Sequence, residues 1–181
     1  MKKFLQGLRF LLLMCALIFV GVTVQAHSSI FDNKAIFHDE EGKEVKMSDF
    51  LGHPTVMTMS YTECKKTCPL VTLVTLKKIQ AELDAKSRKA DIVILSFDPE
   101  NDTPEVLKKF REKQKLTQPN WHFLTGSNAD TRAAAKYLGL DHYWAMDDHI
   151  LHGFKITIFS AEGDITRVLD WNNHEVTNLF P

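Results

Sequence analysis

The stretch "DIVILSF", residues 91 to 97, limits the possible folds more than any other segment of this chain. It is an apolar run of strand length with no polar face to offer water. It therefore reads as a strand covered on both sides, and such strands belong to sheets sandwiched between helices. The flanks supply those helices. Upstream, residues 69 to 87 place Leu73, Leu76, Ile79 and Leu83 at steps of three and four, with Lys77, Lys78 and Glu82 directed outward. Downstream, "TPEVLKKFREKQ" offers Thr103 as a cap, proline at the first helical position and an early glutamate.

The remaining segments extend this pattern. "TVMTMSY" (55 to 61) is a β-rich run after His53-Pro54, and "KAIFHDEEGKEVKMSDF" (34 to 50) reads as two short strands about a Glu-Gly turn. "WHFL" is a further strand, and "ADTRAAAKYLG" is a helix stopped by Gly139. "FKITIFSAEGDITRVLDW" is an alternating hairpin that turns at Glu162-Gly163. Strands alternating with helices and ending in a hairpin imply one three-layer α/β domain with a mixed central sheet flanked by helices. At 181 residues and 44% hydrophobic, the chain can build one good core. The first residues after position 26 and the tail beyond about Trp171 are expected to be loosely held.

Residues 1–26 read apart from this domain. Lys2, Lys3 and Arg9 precede an apolar run from Phe10 to Val20 and the small-residue ending "VQA", the layout of a secretory signal peptide. The alternative is an uncleaved membrane anchor, for which the run is short against the roughly 20 apolar residues of a spanning helix. Residues 27–181 then form the exported domain. Cleavage removes three positive charges and no acid, leaving 19 Lys plus Arg against 23 Asp plus Glu, a net charge of −4. Nothing in that balance suggests nucleic acid. Cys15 leaves with the leader, so Cys64 and Cys68 are the only cysteines of the exported domain.

These two stand in "YTECKKTCPL", at the joint between the 55–61 strand and the next helix, where α/β sheets commonly carry their ligands. Pro69 suits a first helical position, which makes Cys68 the expected N-cap. The helix dipole together with Lys65 and Lys66 favours thiolate over thiol. Three readings stand open: a stabilising disulfide, a redox-active pair, or two ligands of a soft metal. A bridge across three residues closes a small loop with a limited entropic gain. Two thiolates select Cu(I) or Zn(II) and need a further ligand. Of the eight histidines, His149 and His152 in "MDDHILHGFKITIF" stand where a loop can fold back over the cysteine turn. Met57 and Met59 read as core residues, and Asp147-Asp148 as a solvated loop.

The combination "YTECKKTCP", "VILSFDPENDTPEVLKKF", "FLTG" and a histidine before "FKITIFSAEG", in that order from about residue 55 to 163, resembles the Sco/SenC family of copper-binding, thioredoxin-like proteins. The resemblance implies a thioredoxin-like fold and a copper site made by Cys64, Cys68 and one downstream histidine. His152 lies eleven positions before Gly163, the family spacing; His149, three residues earlier, is the second choice. Asp98 of the Asp98-Pro99 element is expected to line the loop beside the cysteines. The chain departs from the family at Lys65-Lys66-Thr67, where an acidic residue is common, and at Leu151, where an aspartate is usual.

The implied function is a periplasmic copper metallochaperone, either free or tethered to the inner membrane. Its acceptor would be the copper centre of cytochrome c oxidase subunit II or another exported cuproprotein. The alternative is a thiol-disulfide oxidoreductase using Cys64 and Cys68 as a redox pair. A copper-responsive or redox-sensing module would use the same residues with a different partner.

Overall fold

A computed structural model describes residues 29–64, 67–140, 143–144 and 150–180, without the side chains of 67–69, 143–144 and 151. The leader, Lys65, Lys66 and His149 lie outside the described residues.

In chain order the elements are β1 (Phe37–His38), β2 (Glu44–Val45), β3 (Thr55–Ser60), α1 (Thr67–Ala85), β4 (Asp91–Ser96), α2 (Pro104–Lys113), β5 (Trp121–Leu124), α3 (Asn128–Tyr137), β6 (Tyr143–Trp144), β7 (Ile150–Leu151), β8 (Lys155–Phe159) and β9 (Ile165–Asp170). Short 3-10 turns at Ile30–Asp32 and Met47–Phe50 precede β3. The central sheet has the order β5-β4-β3-β8-β9. β3, β4 and β5 run parallel, while β8 and β9 return antiparallel. This is the mixed sheet expected from the sequence.

The sheet buries both faces, and strand alternation sorts the side chains between them. Met57, Met59, Val93, Leu95 and Phe97 join Ile30, Phe31 and α3 on one face. Val56, Ile92 and Ile94 join Leu73, Leu76, Ile79 and Leu83 of α1 on the other. Burying one leucine or isoleucine fully contributes roughly 1.5–3 kcal/mol. The continuous apolar run at 91–97 is thus explained by helices on both sides.

The punctuation also follows local chemistry. Thr103 Oγ1 accepts the Val106 N–H and caps α2, and Ser127 Oγ accepts the Asp130 N–H and caps α3. Gly163 turns the final hairpin at φ 90°, a conformation that a side chain disfavours.

Four local expectations are corrected. α1 starts at Thr67, so Cys68 is the second helical residue and not the cap. Pro69 is tolerated there because N–H groups throughout the first turn have no intrahelical acceptor. Ile30 and Phe31 are buried rather than loose, held by Ser29, which caps their turn. The tail is docked as well, since Leu179 and Phe180 enter the α1-side core. The Glu82 carboxylate accepts the Asn178 N–H at 2.9 Å, and the Arg88 guanidinium donates to the Phe180 carbonyl. The two apolar residues at 179–180 drive this docking, and Glu82 is accordingly half-buried instead of facing outward. Among the described residues, no helix is long and apolar enough to cross a membrane.

Candidate metal centre

The C-terminal end of β3 delivers the chain to the cysteine turn. Tyr61 is buried, and its carbonyl accepts the Cys64 N–H at 3.5 Å, so the chain folds back before α1 begins. Cys64 is half-buried, packs against the α3-side core and carries a free thiol. The main chain places Cys68 in the first turn of α1, at the positive end of a 19-residue helix. Its side chain lies outside the described residues.

His152 reaches the same place from the other end of the domain. It follows β7 and precedes β8, whose antiparallel pairing with β3 matches Ile156 to Thr58 and so brings residues before Lys155 toward Tyr61. Its imidazole lies 4.5 Å from the Phe97 ring and 5.9 Å from the Tyr61 ring. Nδ1 stands 3.0 Å from the Gly153 carbonyl. A carbonyl can only accept, so this contact puts a proton on Nδ1, while Nε2 is buried. An imidazole that ligates a metal through one nitrogen commonly donates from the other to such a carbonyl.

Tyr61 links the two. Its hydroxyl donates to the Ile150 carbonyl at 3.4 Å. Burial first, and then the neighbouring Cys64 side chain, push its pKa above the ordinary tyrosine range. Tyr61 therefore touches both the Cys64 thiol and the His152 ring. Asp98 is buried, is bonded by Asn101 Nδ2 at 2.9 and 3.0 Å, and acts on Tyr61 through its charge. Met57 and Met59 are core residues at 0% and 1% exposure, as expected. Among the described residues, no three metal-ligating side chains converge on one point.

The sequence reading missed two contributors. Tyr61 opens the cysteine motif, and nothing local in the sequence signals its role. Asp102 is buried, and its carboxylate takes hydrogen bonds from Thr62 and Ser96. Burial raises its pKa, and those bonds oppose the rise. The signal was the second aspartate of "DPENDTP", which a sequence alone cannot tell from an ordinary helix-entry acid.

The SCO1/SenC family model matches residues 26–178. The chain belongs to the SCO1/SenC family. The SCO1 protein homolog of Bacillus subtilis (strain 168) is 28% identical over 144 residues, spanning 78% of this chain and 73% of that protein. Among solved structures, BsSco, described as a Sco-family cytochrome c oxidase assembly protein with a disulfide switch, is 27% identical. It superimposes with a TM-score of 0.65, covering 75% of this chain and 80% of that one. Arabidopsis thaliana ScoI with copper bound shares the fold at TM-score 0.66 and 20% identity, covering 78% and 88%. The thioredoxin-like Sco fold expected from the motifs is therefore borne out.

A cysteine sulfur and a neutral imidazole nitrogen are soft and intermediate donors, a pairing that favours Cu(I) and Zn(II) over hard cations.

Proposed function

We propose that this SCO1/SenC protein is an exported copper metallochaperone that holds its cargo with Cys64, Cys68 and His152. One observation carries the reading: Cys64 and His152, from distant parts of the chain, meet around Tyr61. The fold shared with a copper-bound relative supports it. Cys64 and Cys68 bind as thiolates, the form in which cysteine sulfur ligates a metal. His152 completes a three-coordinate site, and transfer proceeds by stepwise ligand exchange with the acceptor's own thiols and imidazoles. The acceptor is the copper centre of cytochrome c oxidase subunit II or another exported cuproprotein. Residues 1–26 direct export to the periplasm, by cleavage or as an inner-membrane tether.

The test is an absorption titration of the reduced protein with one equivalent of Cu(II). Intense visible sulfur-to-copper bands are expected, lost in Cys64→Ser, shifted in His152→Ala and unchanged in His149→Ala. Loss in His149→Ala with His152→Ala unaffected would transfer the ligand role to His149. The second reading, a thiol-disulfide oxidoreductase, is favoured by the free Cys64 thiol and by the disulfide switch of BsSco. Its outcome would be disulfide formation without retained metal, two Cu(II) being reduced for each disulfide made. It also predicts full copper-free reductase activity in His152→Ala.

A further inference from the structure

Asp102 is 1% exposed and stands at the entrance to α2, outside the proposed ligand set. Its two carboxylate oxygens accept the Thr62 N–H at 3.2 and 3.3 Å. Oδ1 also accepts the Thr62 hydroxyl at 2.5 Å, and Oδ2 accepts the Ser96 hydroxyl at 2.6 Å. Ser96 Oγ in turn accepts the Asp98 N–H at 2.9 Å, and the Asp102 N–H donates to the Asp98 carbonyl at 2.8 Å.

These bonds converge on the site from two directions. Thr62 lies two residues before Cys64, on the segment that leads from β3 into the cysteine turn. Ser96 ends β4, in register with Ser60, and the next residue, Phe97, carries the ring that packs on His152. One carboxylate is thus bonded to the arm that bears Cys64 and to the strand that backs His152. An apolar side chain could fill the same volume, but it would leave the Thr62 N–H and two hydroxyls without an acceptor in a buried setting. Keeping a buried carboxylate for packing alone is costly, whereas a carboxylate that accepts from three groups fixes their relative positions.

We propose that Asp102 is a positioning residue for Cys64, setting where its sulfur stands relative to His152 by clamping Thr62 to the end of β4. This rests on the copper reading for its purpose, but it is tested on the thiol itself. The measurement is the peptide-resolved alkylation rate of Cys64 by iodoacetamide in the reduced, copper-free full-length chain, for Asp102→Asn, Thr62→Val and the double variant. Leu169→Ala, a buried change in β9, serves as a control for lost stability. Each single variant is expected to change the Cys64 rate by about fivefold or more. The double variant should go no further than the larger single one, because both cut the same bond. The control should stay within about twofold of the parent chain.

Rates within twofold of the parent for both single variants would overturn the proposal and make Asp102 a structural tie. So would a control that changes as much as they do. If Asp102→Asn does not fold, Thr62→Val decides alone, since it removes one hydroxyl from a half-buried residue. Copper titration of the parent chain is read separately: failure to bind would refute the metallochaperone reading and leave the alkylation result standing.

Discussion

Replacing Phe97 with alanine separates two things that this ring does. Phe97 is 1% exposed within the α3-side core, and its ring lies 4.5 Å from the His152 imidazole. Deleting a fully buried phenylalanine costs about 3–5 kcal/mol, from lost transfer energy and the cavity left behind. For a domain of this size each kcal/mol moves the melting temperature by about 2–4 °C, so the expected drop is roughly 6–20 °C. The second effect is on His152. Without the ring, the imidazole loses that packing and regains rotamers that ligation must then freeze, at about 0.5–1.5 kcal/mol. Cu(I) affinity should fall by about 2- to 13-fold, because about 1.4 kcal/mol is tenfold. Thermal melts by circular dichroism and Cu(I) competition with a colorimetric chelator measure the two separately. A large melting shift with unchanged affinity would show that Phe97 packs the core without orienting His152. An unchanged melting temperature would refute the packing argument itself.

Three further outcomes follow from the geometry. Gly163→Ala should destabilise by at least about 1–2 kcal/mol, because φ is 90° and a new Cβ would lie 2.8 Å from Phe31 Cδ2; urea unfolding measures it. Glu40→Gln should cost roughly 3 kcal/mol, since it breaks the buried pair with Arg111 while leaving the guanidinium in place, read by the same unfolding curve. Lys86, and then the Asn178 N–H, hold the Glu82 carboxyl below its usual range. Its folded pKa is below its unfolded one, so its stabilisation is present above about pH 4.3 and is lost as pH falls through the folded value. The protection factor at Asn178, its exchange rate taken relative to the intrinsic rate at the same pH, should therefore fall on acidification, and Glu82→Gln should show low protection already at pH 7. Equal exchange in the two proteins at pH 7 would show that Leu179 and Phe180 alone hold the tail.

Long periodic segments were legible because their signals are local. The 91–97 run, the α1 stripe of Leu73, Leu76, Ile79 and Leu83, and the cap Thr103 each follow from a few consecutive residues. The chain ends were misread for the same reason. "NLFP" has no period, so its docking depends on Glu82 and Arg88, which lie on and just beyond a helix almost a hundred residues earlier. Ile30 and Phe31 likewise gain their burial from partners across the domain, Phe159 among them, whose ring meets that of Phe31 at 5.0 Å. Amphipathic pattern reports a face, but it does not report what covers that face.

The site divides along the same line. Two cysteines beside a helix start are visible in a decapeptide, whereas choosing His152 over His149 needed a family spacing, because nothing local distinguishes two histidines three residues apart. What supports His152 in the structure is non-local: β8 pairs antiparallel with β3, so residues just before Lys155 return to the end of the strand that releases Cys64. Phe97 and Tyr61 come from the ends of two adjacent parallel strands and meet the imidazole there. A parallel pair brings equivalent strand ends together, and an antiparallel return adds a segment far along the chain to the same edge. Sheet topology thereby gathers a thiol, an imidazole, two aromatic rings and the Asp102 clamp that no short window of sequence contains. The residue types of the proposed site are written locally, but their meeting point is written in strand order.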